Sequence, residues 1–118
     1  MNIFKKLAAV VVTAYAHYLY DQAKRKADYM YSKNPQMYYV ASQVFHPNVL
    51  TIYDRQRFKM EKSAFGRAAE LKTLIDLKNG CYYHTPDTAG NQAMSEHDME
   101  VARRYFVKER LWKAKLLQ

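Results

Sequence analysis

Glycine and proline are scarce in this 118-residue chain, three of each. That excludes a linker-rich or disordered protein, because such chains need flexible residues and low apolar content, whereas 49% of this one is hydrophobic. A single cysteine, Cys81, rules out an internal disulfide and gives no case for an oxidising compartment. The three glycines stand apart at 66, 80 and 90, so there is no phosphate-cradling loop and no dinucleotide fingerprint. No Gly-x-Ser-x-Gly elbow occurs either. Acidic residues are few, and none pairs with another in an apolar frame, so catalytic residues are not expected and the chain reads as no enzyme.

What is present in excess is positive charge and tyrosine. Nineteen lysines and arginines face eleven acidic residues, a formal net charge of +8. The surplus is spread across the helical segments rather than held in a tail, with six cations against two aspartates in residues 1–34. Such a field attracts polyanions: nucleic acid, acidic protein surfaces or anionic lipid headgroups. Eleven tyrosines against five phenylalanines and one tryptophan suit half-buried surfaces and interfaces, since the ring buries while the hydroxyl stays available.

Residues 4–33 read as one long helix, rich in helix formers and uninterrupted until Asn34-Pro35 stops it. Its opening, "KKLAAVVVTAYAHYLY", has the grammar of a secretory signal ending in Ala14-Tyr15-Ala16. The apolar run is about 14 residues, short of the roughly 20 that span a bilayer. It also runs on without a break into "DQAKRKADYMYSKN", so neither secretion nor membrane insertion is expected. One stripe passes through Leu7, Val11, Ala14, Tyr18, Asp21, Arg25 and Asp28, apolar at first and charged later. A helix start that is apolar nearly all round needs cover on several sides. The rest of the chain has few large aliphatic residues to supply it, so a partner subunit is expected there.

Beyond Pro35 the period changes. Met37–Ala41 and Val49–Tyr53 are rich in tyrosine and β-branched residues around His46-Pro47-Asn48, which predicts a hairpin with its connection over Ser42–Asn48. Alternation places Val49, Thr51 and Tyr53 on one face, Leu50 and Ile52 on the other. Asp54 is a candidate N-cap for a helix from Arg55, with Gly66 either breaking or kinking the helical stretch that follows. Ala68, Leu71, Leu74 and Ile75 would share one face of that stretch. Asn79-Gly80 either closes it or turns a tight hairpin into "CYYHT"; the helix propensity of "AAELKTLIDLK" favours closure. Residues 81–94 read as irregular. Ser95 is the N-cap of a closing helix over 96–117, with Asp98 as its capping-box partner and Met94 and Met99 as a hydrophobic staple. The expected fold is α+β and mainly helical: a long N-terminal helix, a small hairpin, one or two central helices and a C-terminal helix. A single small domain is expected, with 1–34 able to project to a partner.

Candidate chemistry is thin. Cys81-x-x-His84, with Asp87 and His97 nearby, could open a zinc site, but no second Cys/His pair completes a tetrahedron, so neither metal nor cofactor is expected. Cys81 with His84 or His97 could form a nucleophile and base, an arrangement any chain with one Cys and four His permits. Cationic faces are more definite. Arg55, Lys59 and Lys62 share helical spacing beside Arg57, and Arg103, Arg104, Arg110 and Lys113 follow on the last helix. With tyrosines interleaved they could hold phosphates and stack unpaired bases, although no helix-turn-helix, RNA-recognition strand or zinc finger is present. The candidate partner surface comprises Leu7, Val11, Tyr15, Tyr18, Tyr38, Tyr82 and Trp112.

Residues 37–112, with "YYVASQVFHPNVLTIYDRQRFKMEK", "CYYHTPDTAGNQAM" and "SEHDMEVARRYFVKERL", resemble small proteins of bacteriophages and phage-derived elements of gut bacteria, including crAss-like phages. The shared pattern is a tyrosine-rich hairpin, a "YDRQRF" stretch, and a "YYHTP" loop leading into a basic helix. The resemblance carries no assigned chemistry, so it assigns no residue a role. It implies a virion component or a nucleic-acid-associated accessory factor, located in the virion or host cytoplasm. The leading expectation is therefore a structural protein that binds protein partners and itself; a small nucleic-acid-binding protein is the alternative.

Overall fold

A computed structural model of the chain describes residues 2–42, 50–65 and 74–116, with the side chains of 61–65 and 74–76 excepted. The expected hairpin connection, the Gly66 break or kink, and the contributions of Val49, Ala68, Leu71, Leu74 and Ile75 lie outside the described residues or side chains. The architecture is α+β and mainly helical.

Helix α1 (Ile3–Lys33) begins where the Asn2 side chain accepts the Lys5 amide at 2.8 Å. It ends at Asn34, whose amide donates to the Met30 carbonyl, because Pro35 cannot extend the helical ladder. Strands β1 (Tyr39–Ser42) and β2 (Leu50–Tyr53) pair antiparallel with Val40 opposite Ile52, as the period-2 pattern predicts. Helix α2 (Arg55–Phe65) starts on Asp54, whose carboxylate accepts the Arg57 amide at 2.7 Å. Helix α3 (Leu74–Gly80) ends at Gly80, so Asn79-Gly80 closes a helix and is no hairpin turn.

The "irregular" stretch holds a third strand. β3 (Tyr83–His84) pairs antiparallel with β1, giving the order β2-β1-β3. Two residues are too few to show a period, which is why alternation misses them. The strand is fixed by its flanks: the Tyr82 amide donates to the Val40 carbonyl at 2.7 Å and the Thr85 amide to the Tyr38 carbonyl at 3.0 Å. After it, Asp87 gathers the amides of Ala89 and Asn91 on one carboxylate oxygen, and Gly90 takes the positive φ of 96° that this turn requires. Helix α4 (Glu96–Lys113) starts on Ser95, whose hydroxyl accepts the Asp98 amide.

The sheet lies between two helical layers. On one side Val40, Leu50, Ile52 and Tyr83 pack with Tyr38, Ala27 and Met30, joined by Met99 from α4. On the other, Tyr39, Ala41 and Tyr53 pack with Phe58, Leu77 and Cys81. Helix α4 runs antiparallel along α1: Arg103 pairs with Asp21, and Arg110 lies over the Tyr15 ring. Ala16, Tyr20 and Ala27 are the buried residues of α1. No residue from Ile3 to Tyr15 is buried, and Ile3–Leu7, Val10, Val11, Ala14 and Tyr15 are exposed, so the described residues leave one face of the helix's apolar opening uncovered. No helix among the described residues is long and apolar enough to cross a membrane.

Candidate functional site: an apolar helix seam beside a basic groove

The residues singled out by sequence fall into three groups. Leu7, Val11, Tyr15 and Tyr18 of α1 are all exposed, at 59%, 66%, 53% and 52%, and Ile3, Phe4 and Val10 join them on the same open half-helix. The Tyr15 and Tyr18 rings stack 6.3 Å apart. Trp112 is exposed on the outer side of α4, next to Tyr105, Lys108 and Glu109. These side chains are the solvent-exposed members of the predicted partner surface.

Tyr38 does not belong to it. Only 3% of it is exposed, and its hydroxyl donates to the Asn34 carbonyl at 3.0 Å, so it is a core residue holding the turn after α1. Tyr82 is half-buried against its own chain: its ring meets Phe106 edge-on at 5.3 Å and stacks on Tyr105, while its hydroxyl reaches the Glu109 carboxylate at 3.2 Å. A tyrosine pair reads the same in sequence whether it faces a partner or a helix 20 residues downstream.

The cations divide. On α4, Arg103 pairs with Asp21, Arg104 with Glu100, and Lys113 with Glu109 at 3.0 Å. Arg103, Arg104 and Lys113 thus meet carboxylates of this chain. On α2 the predicted face splits: Arg55 lines a hollow with Tyr39 and Asp87, whereas Arg57 turns over the Tyr53 ring toward α1. Lys59 is exposed, and the Lys62 side chain lies outside the described residues. What the fold does assemble is a groove of about 680 Å³ between α1 and the edge strand β2. Tyr15, Gln22 and Lys26 line it from α1, with Arg57 from α2 and Arg110 from α4. Lys26, Arg57 and Arg110 thus border the same groove. Sequence spacing could not join Arg57 to Arg110, because only the packing of α2 on β2 and of β2 and α4 on α1 does so.

Cys81 and His84 also border one hollow, of about 490 Å³, with Asp98 and Lys78. The cysteine is nevertheless 7% exposed, and its thiol lies 3.1 Å from the Lys78 carbonyl. Burial pushes that thiol up to about 12. A nucleophile needs the reverse, a thiolate drawn down by positive surroundings. The His84 Nδ1 sits against the neighbouring Thr85 carbonyl at 3.1 Å. No group of three metal-ligating side chains occurs among the described residues. Set beside known proteins, the chain matches no family model, no curated protein and no solved structure.

Proposed function

We propose that this protein is a non-enzymatic structural subunit, docked into a larger assembly through the first half of α1, in keeping with the virion components its motifs resemble. One observation carries the reading. The half-helix from Ile3 to Tyr18 exposes Ile3, Phe4, Leu7, Val10, Val11, Tyr15 and Tyr18 together, more apolar surface than an isolated small domain ordinarily leaves to water. The buried, weakly acidic thiol of Cys81 is a poor start for nucleophilic chemistry, which favours a binding role over a catalytic one. Light scattering on the purified chain tests this. Species heavier than the 13.9 kDa monomer should form and disperse in a Leu7→Glu/Val11→Glu double variant. A monodisperse wild-type monomer at low salt overturns the reading.

The groove favours a second reading, a nucleic-acid-binding accessory protein. Lys26, Arg57 and Arg110 would take phosphates along the groove. Single-stranded oligonucleotide should then bind in a salt-dependent way and weaken on Arg57→Ala. Affinity that stays flat from low to moderate salt removes this alternative.

A further inference from the structure

Phe4, Leu7, Val11, Ala14 and Tyr18 follow one another at intervals of three, four, three and four residues, the spacing of the two apolar positions in a heptad. All five are exposed. The buried Ala16 and Tyr20 lie on the opposite side of the helix, against α4, so the seam faces directly away from the body of the chain. A stripe that merely happened to be apolar has no reason to keep the 3-4 interval, whereas a helix that packs against another helix must.

The geometry points to a second copy of this chain as the occupant, its α1 lying antiparallel on the first, with Phe4 against Ala14 and Leu7 against Val11. This rests on the assembly reading above and names its first partner. Three features select a copy. In that register the bulky Phe4 meets the small Ala14 and Leu7 meets Val11, while Tyr18 lies past the partner's first turn. With Ile3, Val10 and Tyr15 at its flanks, each more than half exposed, it forms one continuous apolar strip along the first turns of the helix, as a helix–helix interface requires. Its charges also choose the direction. Lys5 and Lys6 are the only charged residues between Ile3 and Tyr20. Parallel pairing would bring four lysines together at the positive ends of two aligned helix dipoles. Antiparallel pairing sets the two lysine pairs at opposite ends and opposes the dipoles. Each body then sits on the outer face of its own helix, clear of the other.

Site-directed cross-linking of the full chain tests the pairing. In the antiparallel register Phe4 of one copy meets Ala14 of the other, while the two Phe4 positions lie about 15 Å apart along the axis. Mixing Phe4→Cys chains with Ala14→Cys chains under mild oxidation should give the mixed disulfide as the main dimer. Both positions are exposed, so the substitutions leave the core intact, and Cys81 is buried out of reach. A Phe4→Cys chain that links chiefly to itself means parallel pairing and overturns the proposal. Self-association with neither cross-link overturns the pairing and leaves the assembly reading standing. A monomer overturns both, and so does a monomer that floats with anionic phosphatidylglycerol vesicles, which would make the seam a lipid-binding face.

Discussion

The hydroxyl of Tyr20, midway along α1, donates a 2.6 Å hydrogen bond to the main-chain carbonyl of Tyr82, just before β3. The same hydroxyl lies 3.4 Å from the Met99 carbonyl in α4, and Arg103 covers its ring at 5.2 Å. One side chain, 1% exposed, therefore ties the long helix, the third strand and the last helix together. Tyr20→Phe keeps the ring and leaves the Tyr82 carbonyl without this donor. Urea unfolding should show a loss of about 1–2 kcal/mol with an unchanged slope. A loss within error of zero would mean that water replaces the hydroxyl.

Alkaline pH should unfold the chain through its buried phenols. Burial raises Tyr20 and Tyr82 to about 12, and burial with the Asp28 carboxylate raises Tyr83 further. In the unfolded chain these groups titrate near pH 10. Below about pH 10 both states hold the protons, so this contribution to stability is fully present. Between about pH 10 and 12 the unfolded state loses protons that the folded state retains, and stability falls. Tyrosinate absorbance should lag that of a urea-unfolded control across this window, then rise together with loss of helix by circular dichroism.

Cys81 should be almost inert in the folded protein. A thiol at about 12 holds far less thiolate at mildly alkaline pH than an unfolded cysteine, and only the thiolate attacks a disulfide reagent. Labelling by a chromogenic disulfide reagent should run more than about 100-fold slower in buffer than in urea. Equal rates would place the sulfur in solvent.

Leu77 and Trp112 should behave as opposites. Leu77 of α3 is fully buried against Tyr39 and Ala41 of β1 and Phe58 of α2, so Leu77→Ala should cost about 2–4 kcal/mol through lost burial and the cavity left behind. Trp112 is 67% exposed, and Trp112→Ala should stay within about 0.5 kcal/mol despite the larger residue removed. Thermal melts of both variants check the contrast.

Helix ends were legible because they are local. Pro35, the carboxylate of Asp54 and the hydroxyl of Ser95 act on amides within three residues, so a reader of the chain meets cause and effect together. The hairpin was legible too, since Thr51 and Tyr53 turn inward and Leu50 and Ile52 toward α1 at the period the residues display. The candidate surface was half legible. Exposure of Leu7 and Val11 follows from a shortage of apolar residues to cover them, but Tyr38 and Tyr82 carry no mark of which way they face.

The sequence by itself determined where α1 and α4 begin, where α1 stops, which residues of β2 share a face, and that the charge is positive. Each depends on neighbours a few residues away. Only the tertiary structure decided that Tyr83 and His84 pair with β1, that Asp21 meets Arg103, and that Arg57 and Arg110 share a groove. Those partners stand dozens of residues apart. Their meeting depends on packing α4 antiparallel to α1 and the sheet beneath it, which no local period records.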